Sequence, residues 1–167
     1  MSSPVIIRSS TPNDVASIAE IYGHHVLKGT GSFEETPPTV DEVASRRDAI
    51  VQNGMPWLVA ELDGVVVGYA YAGPFRARAA YRFTLEDSVY ISPDHQGHGI
   101  GRLLLERLIG ECRSAGYKQI LALIGDSQNV ASIRVHERCG FQHTGVMKDV
   151  GVKFDRYLDV VVMQKTL

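Results

Sequence analysis

Between a strand-like run, Val89-Tyr90-Ile91, and an amphipathic helix pattern starting at Gly99, the chain carries Ser92-Pro93-Asp94-His95-Gln96-Gly97-His98-Gly99-Ile100-Gly101-Arg102. Few folds accept such a junction. The proline stops the strand because it has no N–H and a fixed φ. Alternating glycines adopt positive φ and carry no Cβ, so backbone N–H groups can approach an anion closely. The helix that follows adds unpaired N–H donors and the positive end of its dipole. Arg102 adds a formal charge at the same place. Strand, glycine turn and helix N-terminus in this order predict an α/β protein with a pyrophosphate site.

The flanking pattern fills in that fold. Val5 to Arg8 reads as a first strand. Thr11 is an N-cap, Pro12 takes the first helical position, and Asp14 closes a capping box. Val15, Ile18, Ala19, Tyr22 and Val26 then carry a helix to about Lys28. Gly29 to Pro38 is a breaker-rich loop that exposes Phe33, and Thr39 to Gln52 is a second helix. Trp57 to Leu62 and Val65 to Tyr71, separated by Asp63-Gly64, predict a hairpin with a type I′ turn. A loop from Gly73 to Ala80 leads to a strand from Phe83 to Ile91. Gly99 to Ala115 is a helix with Leu104, Leu105, Leu108, Ile109 and Cys112 on one face, closed by Gly116. Gln119 to Ile124 is a strand, and Asn129 to Arg138 a short helix closed by Gly140. Strands over Phe141 to Lys148 and Asp155 to Gln164 complete the chain. The order is β-α-α-β-β-β-α-β-α-β-β, an α/β domain over residues 1–167 with a mixed sheet covered by helices.

Composition excludes several classes. A length of 167 residues suits one domain with its own core. The formal net charge of −2 argues against nucleic acid as the main partner, since phosphate backbones demand a concentrated basic surface. Cys112 and Cys139 have no metal or disulfide-framework spacing, and His24-His25 gives no ligand spacing either, so no metal is expected. No apolar run approaches the ~20 residues of a membrane helix, and no secretory leader pattern opens the chain. A cytoplasmic enzyme or binding domain is the expectation.

The glycine run lacks the Gly-Lys-Ser/Thr of a Walker loop. Its spacing is G-x-G-x-G, not the G-x-G-x-x-G of a Rossmann turn, and Leu121 to Leu123 is apolar where an acid would hold a ribose. Gln96-Gly97-His98-Gly99-Ile100-Gly101 instead resembles the Q/R-x-x-G-x-G/A signature of the GNAT acetyltransferases. Asn129-Val130-Ala131-Ser132-Ile133-Arg134-Val135-His136-Glu137-Arg138-Cys139-Gly140-Phe141 resembles the second signature of that family, with His136 where many members carry a tyrosine. Phe33-Glu34, Tyr71-Ala72-Gly73-Pro74-Phe75-Arg76-Ala77-Arg78, Tyr81, Glu86-Asp87-Ser88-Val89-Tyr90 and Phe154-Asp155-Arg156-Tyr157 are similar to the phosphinothricin and methionine sulfoximine acetyltransferase subfamily.

The resemblance implies a mixed, mostly antiparallel sheet splayed at the strand that binds acetyl-CoA. It implies acetyl-CoA held by backbone groups of Val89, Tyr90 and Ile91, by Gln96, Gly97, His98, Gly99, Ile100, Gly101 and Arg102, and by Asn129 and Ser132. Glu86 and His136 are the implied catalytic pair, with either one available as general base and His136 also as proton donor to the thiolate. Phe33, Arg76, Ala77, Arg78, Tyr81, Glu86, Asp87 and Ser88 are expected around an amino-acid-like substrate, the two arginines clamping its carboxylate. A homodimer is implied as well, with the apolar run Val160-Val161-Val162-Met163 available to pair at an edge. Competing readings are a protein N-terminal or polyamine acetyltransferase, and a non-catalytic CoA-binding sensor.

Overall fold

The computed structural model describes residues 3–167. Its strands are β1 (Ile6–Ser9), β2 (Trp57–Leu62), β3 (Val65–Pro74), β4 (Thr84–Ile91), β5 (Gln119–Gly125), β6 (Gln142–Lys153) and β7 (Arg156–Thr166). Its helices are α1 (Val15–Lys28), α2 (Val40–Gln52), α3 (Ile100–Ser114) and α4 (Val130–Arg138). The strands form one sheet in the order β1-β2-β3-β4-β5-β7-β6. Every pairing is antiparallel except β4 with β5.

Local sequence chemistry places these elements where expected. Asp63 and Gly64 both take positive φ, 51° and 78°, as the β2–β3 turn requires. The Thr11 N–H donates to Asp14 Oδ2 at 2.7 Å, and a single 3₁₀ turn over Pro12–Asp14 leads into α1. Thr39 and Glu42 exchange hydrogen bonds of 2.8 and 3.1 Å at the start of α2, a second capping box.

Period-two alternation supplies both faces of the sheet. Leu58 and Ala60 of β2 pack with Ala70, Ala72, Leu85 and Ile120 beneath Leu104, Leu105, Leu108 and Cys112 of α3. Trp57 and Val59 face the other way, with Tyr69, against Val15, Ile18 and Ile21 of α1 and Val43 of α2. Leu104 is fully buried, so truncation to alanine should cost about 2–5 kcal/mol.

The C-terminal hairpin departs from expectation. β7 lies between β5 and β6, so Val160, Val161 and Met163 are buried inside the sheet and cannot pair at an edge. The edge is β6, which exposes Val146, Met147, Val150 and Val152. Both strands also run further than their apolar pattern suggests. Their turn is made by Phe154 and Asp155 at φ 53° and 57°, positive values without a glycine to announce them.

β4 and β5 pair only from Thr84 to Glu86 against Gln119 to Leu121, and beyond that point they separate. Phe75 N–H donates to Thr84 C=O, and Ser92 N–H to Val67 C=O, which fixes the phase of the β3–β4 ladder. Even-numbered residues of β4 therefore turn their backbone groups to β3. Asp87, Val89 and Ile91 turn theirs into the gap. Among the described residues no helix is long and apolar enough to cross a membrane.

Candidate active site

The separation of β4 from β5 opens a cleft of about 1030 Å³, walled by α3, α4 and the loop after α1. At its mouth, Gly97 and Gly99 take φ of 78° and 79° with no protein atom within 4 Å of where a Cβ would stand. Gly99 is the N-cap of α3, so the first N–H groups of that helix point at the same space. These are the demands of a diphosphate cradle. Gln96, Ile100, Gly101, Arg102, Asn129 and Ser132 line the cleft with the two glycines. Arg102 is exposed and paired with Glu106 at 2.7 Å. Asn129 Oδ1 accepts from Ser132 N–H at 3.4 Å and caps α4.

Two of the expected cofactor residues are placed differently. His98 does not line the cleft. Tyr90 lines it, but its backbone groups are committed to Tyr69 of β3, leaving the flanking Val89 and Ile91 as the residues that face the gap. The Ile91 carbonyl already accepts from His25 Nε2 at 2.7 Å. Burial lowers the His25 pKa against the Ile91 hydrogen bond, so this ring is a neutral donor.

The closed end of the cleft is the fork where β4 leaves β5. Glu86 shares its face of β4 with Tyr90, toward α1 and α2. It is partly buried, and desolvation, with a smaller push from Asp87, raises its pKa against the opposing charge of Arg76. A carboxyl raised toward neutrality is suited to accept a proton near pH 7. Asp87 points to the opposite face, where it is buried and meets His136 Nε2 at 3.1 Å from both carboxylate oxygens. His136 Nδ1 lies 2.7 Å from the Ser132 carbonyl, and its ring meets Phe141 edge-on. A carbonyl only accepts, so Nδ1 carries a proton. Burial opposes the charge on His136, but Asp87 and the Ser132 carbonyl outweigh it and its pKa is raised. With Nδ1 donating to the Ser132 carbonyl and Nε2 facing the Asp87 carboxylate, both ring nitrogens of His136 are engaged, and Asp87 is engaged by the ring instead of standing free for a substrate.

Phe33 lines the cleft as expected, but the hydrogen-bonded network behind it was not expected from the sequence. Thr30 Oγ1 donates to Asp126 at 2.9 Å, Tyr22 and Ser32 share a 2.8 Å bond, and buried Lys153 donates to the Ser32 carbonyl at 2.8 Å. Phe33, 38% exposed, lies so close to Gly125 and Gly151 that a Cβ on either would collide with its ring. The glycines were the available signal, since a glycine inside a strand often marks the close approach of another group.

The acetyltransferase (GNAT) family profile matches residues 18–141. The chain belongs to the GNAT family. It is 50% identical to the phosphinothricin N-acetyltransferase of Alcaligenes faecalis over 161 residues, 96% of this chain and 82% of that one. It is 45% identical to the L-methionine sulfoximine/L-methionine sulfone acetyltransferase of Salmonella typhimurium, over 96% of this chain and 94% of that one. The crystal structure of a GNAT phosphinothricin acetyltransferase from Sinorhizobium meliloti in complex with acetyl-CoA superposes with a TM-score of 0.95 at 44% identity, covering 98% of this chain and 88% of that one. This GNAT protein is thus an N-acetyltransferase with acetyl-CoA as cosubstrate. The gap-facing backbone of Val89, the Ile91 N–H and the glycine cradle fit a pantetheine arm and a diphosphate.

In this GNAT enzyme the expected carboxylate clamp lies apart from the cleft. Arg76, Ala77, Arg78 and Tyr81 line a separate shallow hollow with Phe75, and both arginines are exposed. The Arg76 guanidinium rests 5.1 Å from the centre of the Phe75 ring. The hollow still adjoins the reacting end, because β3 pairs Gly73 with Glu86 and the Arg76 charge acts on that carboxyl. Among the described residues no group of His, Cys, Asp and Glu is arranged to hold a metal.

Proposed function

We propose that this enzyme acetylates the α-amino group of a small amino-acid-like substrate of the phosphinothricin, methionine sulfoximine or methionine sulfone kind. The observation that carries the reading is Glu86, a partly buried carboxyl of raised pKa at the closed end of a cleft whose mouth is a diphosphate cradle. The names and identities of the relatives above support the substrate class.

Acetyl-CoA supplies an activated carbonyl carbon and a thiolate leaving group. An α-ammonium has no lone pair, so Glu86 takes its proton, directly or through water. The amine nitrogen then bonds to the carbonyl carbon, and the carbon–sulfur bond breaks with its electron pair going to sulfur. The second amine proton is lost and the thiolate gains one, leaving an amide and a thiol. The Val89 N–H, turned into the gap, is the donor positioned for the carbonyl oxygen as charge develops on it. Arg76 and Arg78 would repel a dicationic polyamine and attract a substrate carboxylate.

The reading includes a homodimer, supported by the exposure of β6 from Gln142 to Val150 and by its exposed apolar residues Val146, Val150 and Val152. Light scattering should give twice the chain mass, and Val150→Glu with Val152→Glu should return it to a monomer. It also includes a cytoplasmic location, in keeping with two cysteines that remain free thiols. Incubation with acetyl-CoA and methionine sulfone, followed by mass spectrometry, tests the activity. An N-acetyl product is expected, and thiol release without such a product would reject the substrate class.

A further inference from the structure

A diphosphate at Gly97 to Gly101 fixes one end of a ligand lying along the open edge of β4. From Ile91 back to Glu86 that edge spans about 17 Å at ~3.3 Å per residue. It ends where β4 rejoins β5 at Glu86 and Leu121. A thioester at the far end of the pantetheine arm therefore comes to rest at the fork. Glu86 lies on one face of the strand there, and the Asp87–His136 pair on the other.

Both members of that pair are almost fully enclosed, with side chains 3% and 4% exposed. The pair joins β4 to α4 at the residue immediately after the last β4–β5 pairing, and both residues line the cleft. The Ser132 carbonyl holds the proton on Nδ1, so one further proton is shared between Nε2 and the Asp87 carboxylate. The other titratable groups bearing on the pair are Glu86 on β4, Cys112 on α3 and Cys139 at the end of α4. Burial pushes Cys112 up to about 12 and Cys139 to about 11, so both remain neutral thiols and neither competes for that proton.

We propose that Asp87 is a positioning residue that holds His136 as a doubly donating imidazolium in the wall of the fork, where its fixed positive charge stabilises the departing thiolate. This rests on the acetyl-transfer reading above. It assigns His136 an electrostatic role and removes it from the proton relay, which is left to Glu86. The charge is set in place before the reaction, so no reorganisation is needed as negative charge builds on sulfur.

Asp87→Asn separates this from mere packing. The amide has the carboxylate's shape, and its NH2 can donate to Nε2, which leaves His136 neutral in the same position. Nitrogen-15 NMR of the ring should show both nitrogens of His136 protonated at neutral pH in the wild type, and only Nδ1 in Asp87→Asn. Turnover should fall by about tenfold to a hundredfold, as for the loss of a charge-assisted interaction, with the Michaelis constant for acetyl-CoA nearly unchanged. Asp87→Asn/His136→Gln, a neutral pair, should lose no more than Asp87→Asn alone. A singly protonated ring in the wild type would overturn the proposal. So would wild-type turnover in an Asp87→Asn protein whose ring is neutral. If the wild type transferred acetyl to no amine, the functional reading would fail instead, and the NMR result would still decide the charge on His136.

Discussion

The mouth of the cleft is made from one contiguous stretch, Gln96 to Arg102. Its reacting end draws Glu86 and Asp87 from β4, His136 from α4 and Phe33 from the loop after α1. At the mouth, backbone does the binding, and two positive-φ glycines with a helix N-terminus are sufficient. At the fork, side chains do the chemistry, and each depends on how the fold surrounds it. Glu86 owes its raised pKa chiefly to burial, with a smaller push from Asp87, while His136 meets a carboxylate 49 positions away. Damage to the mouth should therefore appear as lost cofactor affinity, and damage to the fork as lost turnover.

The largest effect should come from Glu86→Gln, which keeps shape and removes basicity. Turnover should drop by roughly 10²–10⁴, with little change in the Michaelis constant for acetyl-CoA. Wild-type turnover would remove Glu86 from the mechanism. Next, Gly99→Val forces a β-branched residue into φ 79° at the N-cap of α3 and projects its side chain into the cradle. The Michaelis constant for acetyl-CoA should rise by about tenfold or more, the equivalent of ~1.4 kcal/mol. An unchanged constant in a folded protein would break the contrast between the two ends.

A smaller effect concerns pH. Glu86 accepts a proton only when ionised, so activity should fall as pH drops through its raised pKa. Arg76 holds that pKa down, and Arg76→Ala should therefore move the acid limb of the kcat/KM profile to higher pH. A shift to lower pH would mean the limb belongs to another group. The smallest effect should come from Gly151→Ala. The backbone at Gly151 is not in the positive-φ region, so the new methyl strains no backbone and meets the Phe33 ring first. A few-fold rise in the Michaelis constant for the amine is expected, relieved by adding Phe33→Leu. Failure of that rescue would separate Phe33 from the amine site.

Element order and capping were readable because they depend on residues within a few positions of one another. Asp63-Gly64, Thr11 with Asp14, and Gly99 each carry their geometry locally. The place of β7 was not readable, since a run such as Val160 to Met163 is equally apolar at an edge and between two neighbours. The site divides in the same way. The glycine run declared the cradle, but nothing near His136 in the sequence says that Asp87 will saturate its ring. Nor does anything near Arg76 and Arg78 say that they will line a hollow of their own. Such outcomes depend on the face a strand residue presents and on what lies across the sheet from it.

Substrate choice is the claim on which the account turns, and paired amines test it most directly. Initial rates of thiol release from acetyl-CoA should be compared for methionine sulfoximine, methionine sulfone and phosphinothricin against their carboxylate-free analogues. The hollow of Arg76 and Arg78 adjoins Glu86 and both arginines are exposed, so their attraction for a substrate carboxylate is worth about 1 kcal/mol and the amino acids should be favoured in kcat/KM by about fivefold. Arg76→Ala and Arg78→Ala should shrink that preference. Equal efficiency for both sets in the wild type would contradict the carboxylate clamp and return the polyamine and peptide readings to contention.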